Sequence, residues 1–229
     1  MSRTANFTSS SISKLTKLAR NGEDFGAPAL TYIEEKIMEA KLGRELQAEV
    51  DAQPTKWGTI MEPFAFDHIG LEYRLISKKR YHHPKLPWSG MPDVITEELI
   101  GDIKCPWTLK AFCKLVDAMG DIEALKKASP EYYWQLVSNA ILCRKKKALL
   151  IVFAPYKEQL NDVRKHAMAQ LDVDGSFINY KEDNELPYLL KGKFYKNINE
   201  YEFTVPKDDI DFLTKKVTEA SILLEGRKD

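Results

Sequence analysis

Within residues 89–106, SGMPDVITEELIGDIKCP, the charged side chains Asp93, Asp102 and Lys104 stand among Met91, Val94, Ile95, Leu99, Ile100 and Ile103. Charge in an apolar run is costly unless it is paired or put to use. The segment reads as two short β-strands joined by a turn at Glu97 and Glu98, with the trio carried on the strands. That arrangement brings two carboxylates, nine positions apart, to one end of a sheet. Left alone, such a pair repels and one member takes up a proton. A hard divalent cation resolves the conflict, because Mg²⁺ and Mn²⁺ prefer carboxylate, carbonyl and water oxygens. Lys104 lies two residues beyond Asp102 and so shares its strand face, where an ammonium would offset charge building on phosphorus. The trio therefore reads as a site for phosphodiester hydrolysis. A bare D-x-K triplet also has a plainer reading, an exposed strand face with an incidental ion pair. Pro92 ahead of Asp93, the acid Glu62 on a preceding helix and the apolar setting favour the chemical one.

Periodicity gives the elements that must hold these groups. The serine run 9-SSSIS-13 offers N-caps for a short helix bearing Leu15, Leu18 and Ala19, broken by Gly22 and Gly26. From Pro28 to Leu42, the residues Leu30, Ile33, Ile37, Met38 and Leu42 recur at helical spacing, and Gly43 ends the pattern. Residues 55–70 repeat it through Trp57, Ile60, Met61, Phe64, Ala65 and Ile69. Pro63 there demands a kink or a late start, and Glu62 lies on or beside the buried face. A strand is expected over 72–80 and a loop over 82–90. Helices follow over 108–119, 121–128 and 131–143, the last begun by Ser129 and Pro130 and striped by Tyr133, Leu136, Val137, Ala140 and Ile141. Residues 147–155, KALLIVFAP, suit a buried central strand. A helix over 158–171 on Leu160, Val163, Ala167 and Leu171, an irregular polar stretch, a strand over 200–205 and a helix over 207–225 complete the chain. This order predicts the α/β class, a mixed sheet flanked by helices, with residues 1–229 as one domain.

Composition bounds the function. The chain has 229 residues, of which 44% are hydrophobic and 30% charged, as in an ordinary globular protein. Its longest apolar run, 148–155, is far short of the roughly 20 residues a membrane-crossing helix needs. The N-terminus lacks an apolar signal core, so no membrane partner and a cytoplasmic location are expected. Three cysteines without metal-knuckle spacing fit reduced thiols. Basic and acidic residues balance at 34 each, so net charge gives no sign of an anionic partner. The basic clusters 78-KKRYHHPK-85, 144-RKKK-147 and 191-KGKFYK-196 read either as a nucleic-acid groove or as solvated loop ends. His68, His82, His83 and His166 read as packing or loop residues.

Several landmarks carry a more specific signal. In order along the chain they are 57-WGTIMEP-63, 92-PD-93, 102-DIKCPWT-108, 132-YYWQLVSNAILC-143 and 150-LIVFAPY-156. Together they resemble the lambda exonuclease family, the phage recombination exonucleases, which carry a PD…(D/E)xK core of restriction-endonuclease-like fold. The resemblance covers most of residues 5–156. It implies that Asp93 and Asp102 ligate metal, with the backbone carbonyl of Ile103 as a further oxygen. Lys104 would position or activate water. Glu62 would bind metal through water or help hold the site, and Gln135 would orient the nucleophile or a ligand. Read from the residues alone, Glu62 also suits a surface helix acid, and Gln135 a cap on a neighbouring strand.

The same resemblance implies a Mg²⁺ cofactor, one or two ions with Mn²⁺ substituting. It implies action at double-stranded DNA ends, where one strand is degraded from 5′ to 3′ to mononucleotides. The remaining 3′ overhang would serve a single-strand annealing protein in phage or prophage recombination within a bacterial host. Ser10, in 8-TSSS-11, would meet a terminal 5′-phosphate, since hydroxyls and helix-N-terminal amides suit one. Lys110 stands where the family has an arginine, which keeps the charge but loses the bidentate fork. Met91 replaces a serine ahead of the Pro–Asp pair, which puts dependence on a 5′-phosphate in question. The family forms a homotrimer ring, and residues 157–199 look like an insertion at its rim. Two other readings stay open: an endonuclease on the same core, and an inactive DNA-binding module.

Overall fold

The computed structural model describes residues 4–46, 52–69 and 79–226. Its centre is a four-stranded sheet of order β4-β5-β6-β7, formed by β4 (Val94–Ile95), β5 (Leu99–Lys104), β6 (Lys147–Phe153) and β7 (Ile198–Thr204). The β4–β5 and β6–β7 pairs are antiparallel and β5–β6 is parallel, so the sheet is mixed. A smaller sheet of order β1-β3-β2 joins β1 (Phe7–Thr8), β2 (Tyr81–His82) and β3 (Trp88–Gly90). The chain is thus an α/β protein with mixed sheets flanked by helices.

Every residue of β6 except Lys147 is buried, as its unbroken apolar run requires of a strand covered on both faces. Its alternate side chains enter different cores. Ala148, Leu150 and Val152 pack with α1 (Ala27–Leu42), α5 (Pro130–Cys143) and α8 (Lys207–Glu225). Leu149, Ile151 and Phe153 pack with α2 (Gln53–Phe66), α6 (Leu160–Ala169) and α7 (Ser176–Tyr180). On β5 the same alternation sends Leu99 and Ile103 to the α2 side and Ile100 to the α5 side. Asp102 and Lys104, in step with Ile100, therefore face α5.

Several expectations need correction. Residues 9–16 form a 3₁₀-helix that ends before Leu18, with Ser9, Ile12 and Leu15 buried. On α1 the buried stripe is Ala29, Tyr32, Ile33 and Ile37, while Leu30, Met38 and Leu42 are about half exposed, because the helix turns a neighbouring stripe toward the core. Pro63 neither delays nor stops α2, which begins at Gln53 with Pro54 in its first turn and carries Pro63 exposed near its end. The loop over 82–90 contains β3, paired with β1 and β2. The strand expected over 72–80 lies outside the described residues except at Lys79 and Arg80. The α3 (Leu109–Asp117) and α4 (Ile122–Ala128) helices match their patterns, each with a side-chain N-cap, Thr108 and Asp121. The polar stretch after α6 contains α7, and β7 starts two residues earlier than its alternation suggests. Leu171 falls beyond the end of α6 and is 98% exposed. Among the described residues, no helix is long and apolar enough to cross a membrane.

These placements separate two substitutions that the sequence pattern treats alike. Ile151→Ala, in the central strand, should cost about 2–5 kcal/mol in urea unfolding. Leu171→Ala should stay within about 0.5 kcal/mol of wild type.

Candidate active site

The hairpin forms as its residues suggest. Val94 pairs with Gly101 and Ile95 with Ile100, and the turn closes through Thr96 N–H to the Leu99 carbonyl at 2.9 Å. Asp93, however, lies one residue ahead of β4 rather than on it. Its N–H donates to the Gly101 carbonyl at 3.0 Å, and its Oδ2 accepts the Ile103 N–H at 2.8 Å. The carboxylate thus continues the ladder where β4 has no backbone to offer. In an extended strand a residue's N–H and C=O project to the same edge, so the Ile103 carbonyl is directed to the Asp93 side of β5.

Helix α5 meets the other two members of the trio. Residues four apart on a helix rise about 6 Å, close to the roughly 6.7 Å between alternate residues on a strand. Gln135 and Asn139 accordingly match Lys104 and Asp102. Lys104 Nζ donates to Gln135 Oε1 at 3.1 Å, and Asn139 Nδ2 donates to Asp102 Oδ1 and Oδ2 at 3.4 and 3.3 Å. Lys104 Nζ also lies 5.1 Å from the centre of the Tyr132 ring. The helical pattern alone does not single out Asn139. Its signal was available in the polar pair Ser138–Asn139, set in an otherwise apolar helical stripe.

Two of the trio, Asp93 and Lys104, open on a cavity of about 660 Å³. Ser10, Glu62, Asp93, Lys104 and Gln135 line it, together with two basic residues not singled out above, Lys36 of α1 and Arg80. Ser10 is carried there by its neighbour: Ser9 Oγ lies 2.7 Å from Ser138 Oγ, which also accepts from Trp88 Nε1 at 2.8 Å, tying the 3₁₀-helix to α5. Asp102 has no exposed surface and sits behind the wall. Lys110 is exposed in the first turn of α3 and is not on the cavity. In the basic cluster 144–147, two members are tied up locally. Lys145 Nζ donates to the Glu97 carbonyl at 2.7 Å, and Lys147 pairs with Glu98 and Glu202. The histidines His68 and His166 bond to backbone carbonyls of α2, while the His83 ring stacks on Trp88.

Burial governs the electrostatics. It raises Asp102 to about 7; Lys104 opposes the rise, Asp93 adds to it, and the Asn139 amide lowers it. Burial also raises Asp93, against Lys104 and the Ile103 N–H. For Lys104, burial alone would lower the pKa, yet Asp102, Asp93, Glu62 and Tyr132 outweigh it and hold the ammonium charged. The Cys105 thiol is pushed up by burial and by Glu62 and Asp93, so it is no nucleophile.

Three carboxylates thus act on one ammonium, and all their donors are hard oxygens. In type and in surplus negative charge the set fits a Mg²⁺-like ion. Among the described residues no three His, Cys, Asp or Glu side chains form a ready-made cage. The remaining coordination positions fall to a backbone carbonyl, water or substrate phosphate, as Mg²⁺ commonly accepts.

No family model and no curated protein matches the chain by sequence. Solved structures match its fold. An alkaline exonuclease from Laribacter hongkongensis superposes with a TM-score of 0.62 at 16% identity, covering 99% of this chain and 91% of that one. The same enzyme in complex with dAMP gives 0.63 with the same coverage and identity. A phage-related exonuclease from Haemophilus somnus 129PT gives 0.65, also at 16% identity, over 96% of this chain and 94% of its own. At such identity the likeness is one of fold.

The raised Asp102 has a consequence for stability. A free aspartate ionises near pH 4 and the folded one near 7, so the folded state holds the proton more tightly. Stability of the metal-free protein contributed by this group is lost as pH rises through that window. Asp102→Asn stays neutral throughout. In EDTA, its melting temperature should gain on wild type between pH 5 and pH 8; a difference that does not grow with pH contradicts the assignment.

Proposed function

We propose that this protein is a Mg²⁺-dependent deoxyribonuclease, and more narrowly a 5′ to 3′ exonuclease acting on double-stranded DNA ends. The observation that carries the reading is the convergence at one end of β5 of Asp102 and Lys104, which face α5, with Asp93, which enters from the β4 side, beside a cavity that also takes in Glu62 and Gln135. The exonuclease neighbours support the choice of substrate bond, and the dAMP held by one of them is a mononucleotide, the product class expected here.

Asp93 and Asp102, with the Ile103 carbonyl, would hold the ion, and Mn²⁺ would substitute. When bound, such an ion supplies Lewis-acid polarisation of the phosphate and access to hydroxide at neutral pH. The chain's own residues do the rest. Lys104 remains an ammonium, so its part is to orient water and to offset charge on the phosphate oxygens as the leaving 3′-oxygen departs. Gln135 fixes that ammonium through its Oε1. Glu62, across the cavity on α2, balances the charge and orients water. Ser10 and Arg80 give the wall its phosphate donors, while the Lys36 ammonium is held by Glu39 at 2.8 Å, and the planar guanidinium of Arg80 supplies a fork that a lysine lacks. Lys110, outside the cavity, would touch DNA beyond the terminal phosphate. A homotrimer ring, a 3′ overhang passed to a single-strand annealing protein, and a cytoplasmic setting in phage recombination follow from the family resemblance and rest on it.

Digestion of linear duplex labelled at each end, with and without a 5′-phosphate, tests this reading against its rivals. Mg²⁺ should support release of mononucleotides from the 5′-ended strand, EDTA should stop it, and closed circular duplex should survive. Lys104→Ala should lower the rate at least about 10²-fold, in line with loss of one charge-stabilising donor, while the protein stays folded. Cutting of closed circles would favour an endonuclease. Mg²⁺-independent binding without hydrolysis would favour an inactive module.

A further inference from the structure

Asn139 is fully buried in the middle of α5, and its two polar atoms stand in opposite situations. Nδ2 reaches both oxygens of Asp102 at 3.3–3.4 Å. Oδ1 has no hydrogen-bond partner among the described residues. A buried carbonyl oxygen left unmatched is destabilising, so packing alone would place an apolar residue at this point of the helix stripe. Room for the amide comes from Gly90, at the end of β3. A Cβ on residue 90 would overlap Asn139 Oδ1 and Ser9 Oγ and would press on Leu142. The unmatched amide oxygen has its return in the donor aimed at Asp102, and Gly90 leaves space both for that amide and for the Ser9 hydroxyl bonded to Ser138.

That carboxylate needs a donor of this kind. A carboxylate accepts at about four lone-pair positions. An amide that spans both oxygens from the helix side fixes the plane of the group and leaves its remaining lone pairs to face elsewhere. Lys104, one strand step away, is oriented in the same manner by Gln135 one helical turn before Asn139. The helix thus sets both groups from a single rigid edge.

We propose that Asn139 is a positioning residue for the metal centre, fixing the Asp102 carboxylate and through it the affinity for a divalent cation, with Gly90 preserving the space it requires. The inference rests on the nuclease reading and deepens it by one residue that acts without touching ion or substrate. Groups that orient metal ligands typically contribute 10- to 100-fold in metal affinity or activity.

Mn²⁺ binding, followed by the loss of the free-ion electron paramagnetic resonance signal, gives a readout that does not depend on turnover. Asn139→Ala should weaken Mn²⁺ binding about 10-fold or more and raise by a similar factor the Mg²⁺ concentration that half-saturates hydrolysis. Its melting temperature in EDTA, measured alongside, separates a loss of metal affinity from a loss of packing. Asn139→Ser, which keeps a shorter donor, should recover part of the affinity. Gly90→Ala, which leaves Asn139 in the chain but crowds it, should weaken Mn²⁺ binding in the same direction and carries the test if Asn139→Ala does not fold. A variant that melts lower in EDTA with wild-type Mn²⁺ affinity would assign Asn139 a packing role and overturn the proposal. Wild-type protein that neither binds Mn²⁺ nor cleaves DNA would overturn the nuclease reading as well, a result distinct from an unaffected Asn139→Ala.

Discussion

A carboxylate with no exposed surface, Asp102, is held between a strand and a helix, and the surrounding structure follows from the cost of keeping it there. Burying an ion is tolerated only with compensation from charge or hydrogen bonds. Lys104 supplies the charge, Asn139 supplies the hydrogen bonds, and Asp93 adds repulsion that neither removes. The balance stays negative, which is the condition under which a divalent cation is drawn to oxygen ligands. Burial raises both carboxylates, and that electrostatic cost is local to one end of β5.

The sheet and α5 make that placement possible because their repeats agree. Alternate strand residues and residues one helical turn apart advance by nearly equal distances, so one helix edge can serve two strand residues. The same helix carries Tyr133, Leu136, Val137 and Ala140 into the main core, which fixes its distance from the sheet. Ser138, bonded to Ser9 and Trp88, ties the N-terminal 3₁₀-helix to it as well. One element thus serves packing, the orientation of the charged groups and the placing of the cavity wall.

How much was legible in advance differs from residue to residue. The hairpin is legible because Glu97 and Glu98 interrupt a run of apolar residues, and β6 because its six consecutive apolar residues, Ala148 to Phe153, leave few other options. The charged trio stood out because ions are rare in such surroundings. Asn139 gives a weak signal, since a single polar residue in a helix stripe resembles the caps and surface positions that most asparagines occupy. Lys36 and Arg80 gave no signal of their own, as one lies among the alternating charges of a helix and the other in a basic run. Leu30, Met38 and Leu42 fit a helical period as well as the stripe that is buried, and periodicity does not choose between neighbouring stripes.

The sequence by itself determined the class of fold, the strand face shared by Asp102 and Lys104, and the hard-oxygen character of the two carboxylates beside that ammonium. These are properties of residue type and of the two-residue repeat of a strand, which act over a few positions. Tertiary structure decided that Asp102 is buried while Lys110 is outside the cavity, that Asn139 rather than Gln135 meets Asp102, and that Ser10, Lys36 and Arg80 share a wall. Each of those facts joins elements far apart in the chain, and the distance between such elements is set by the packing of two cores against one sheet.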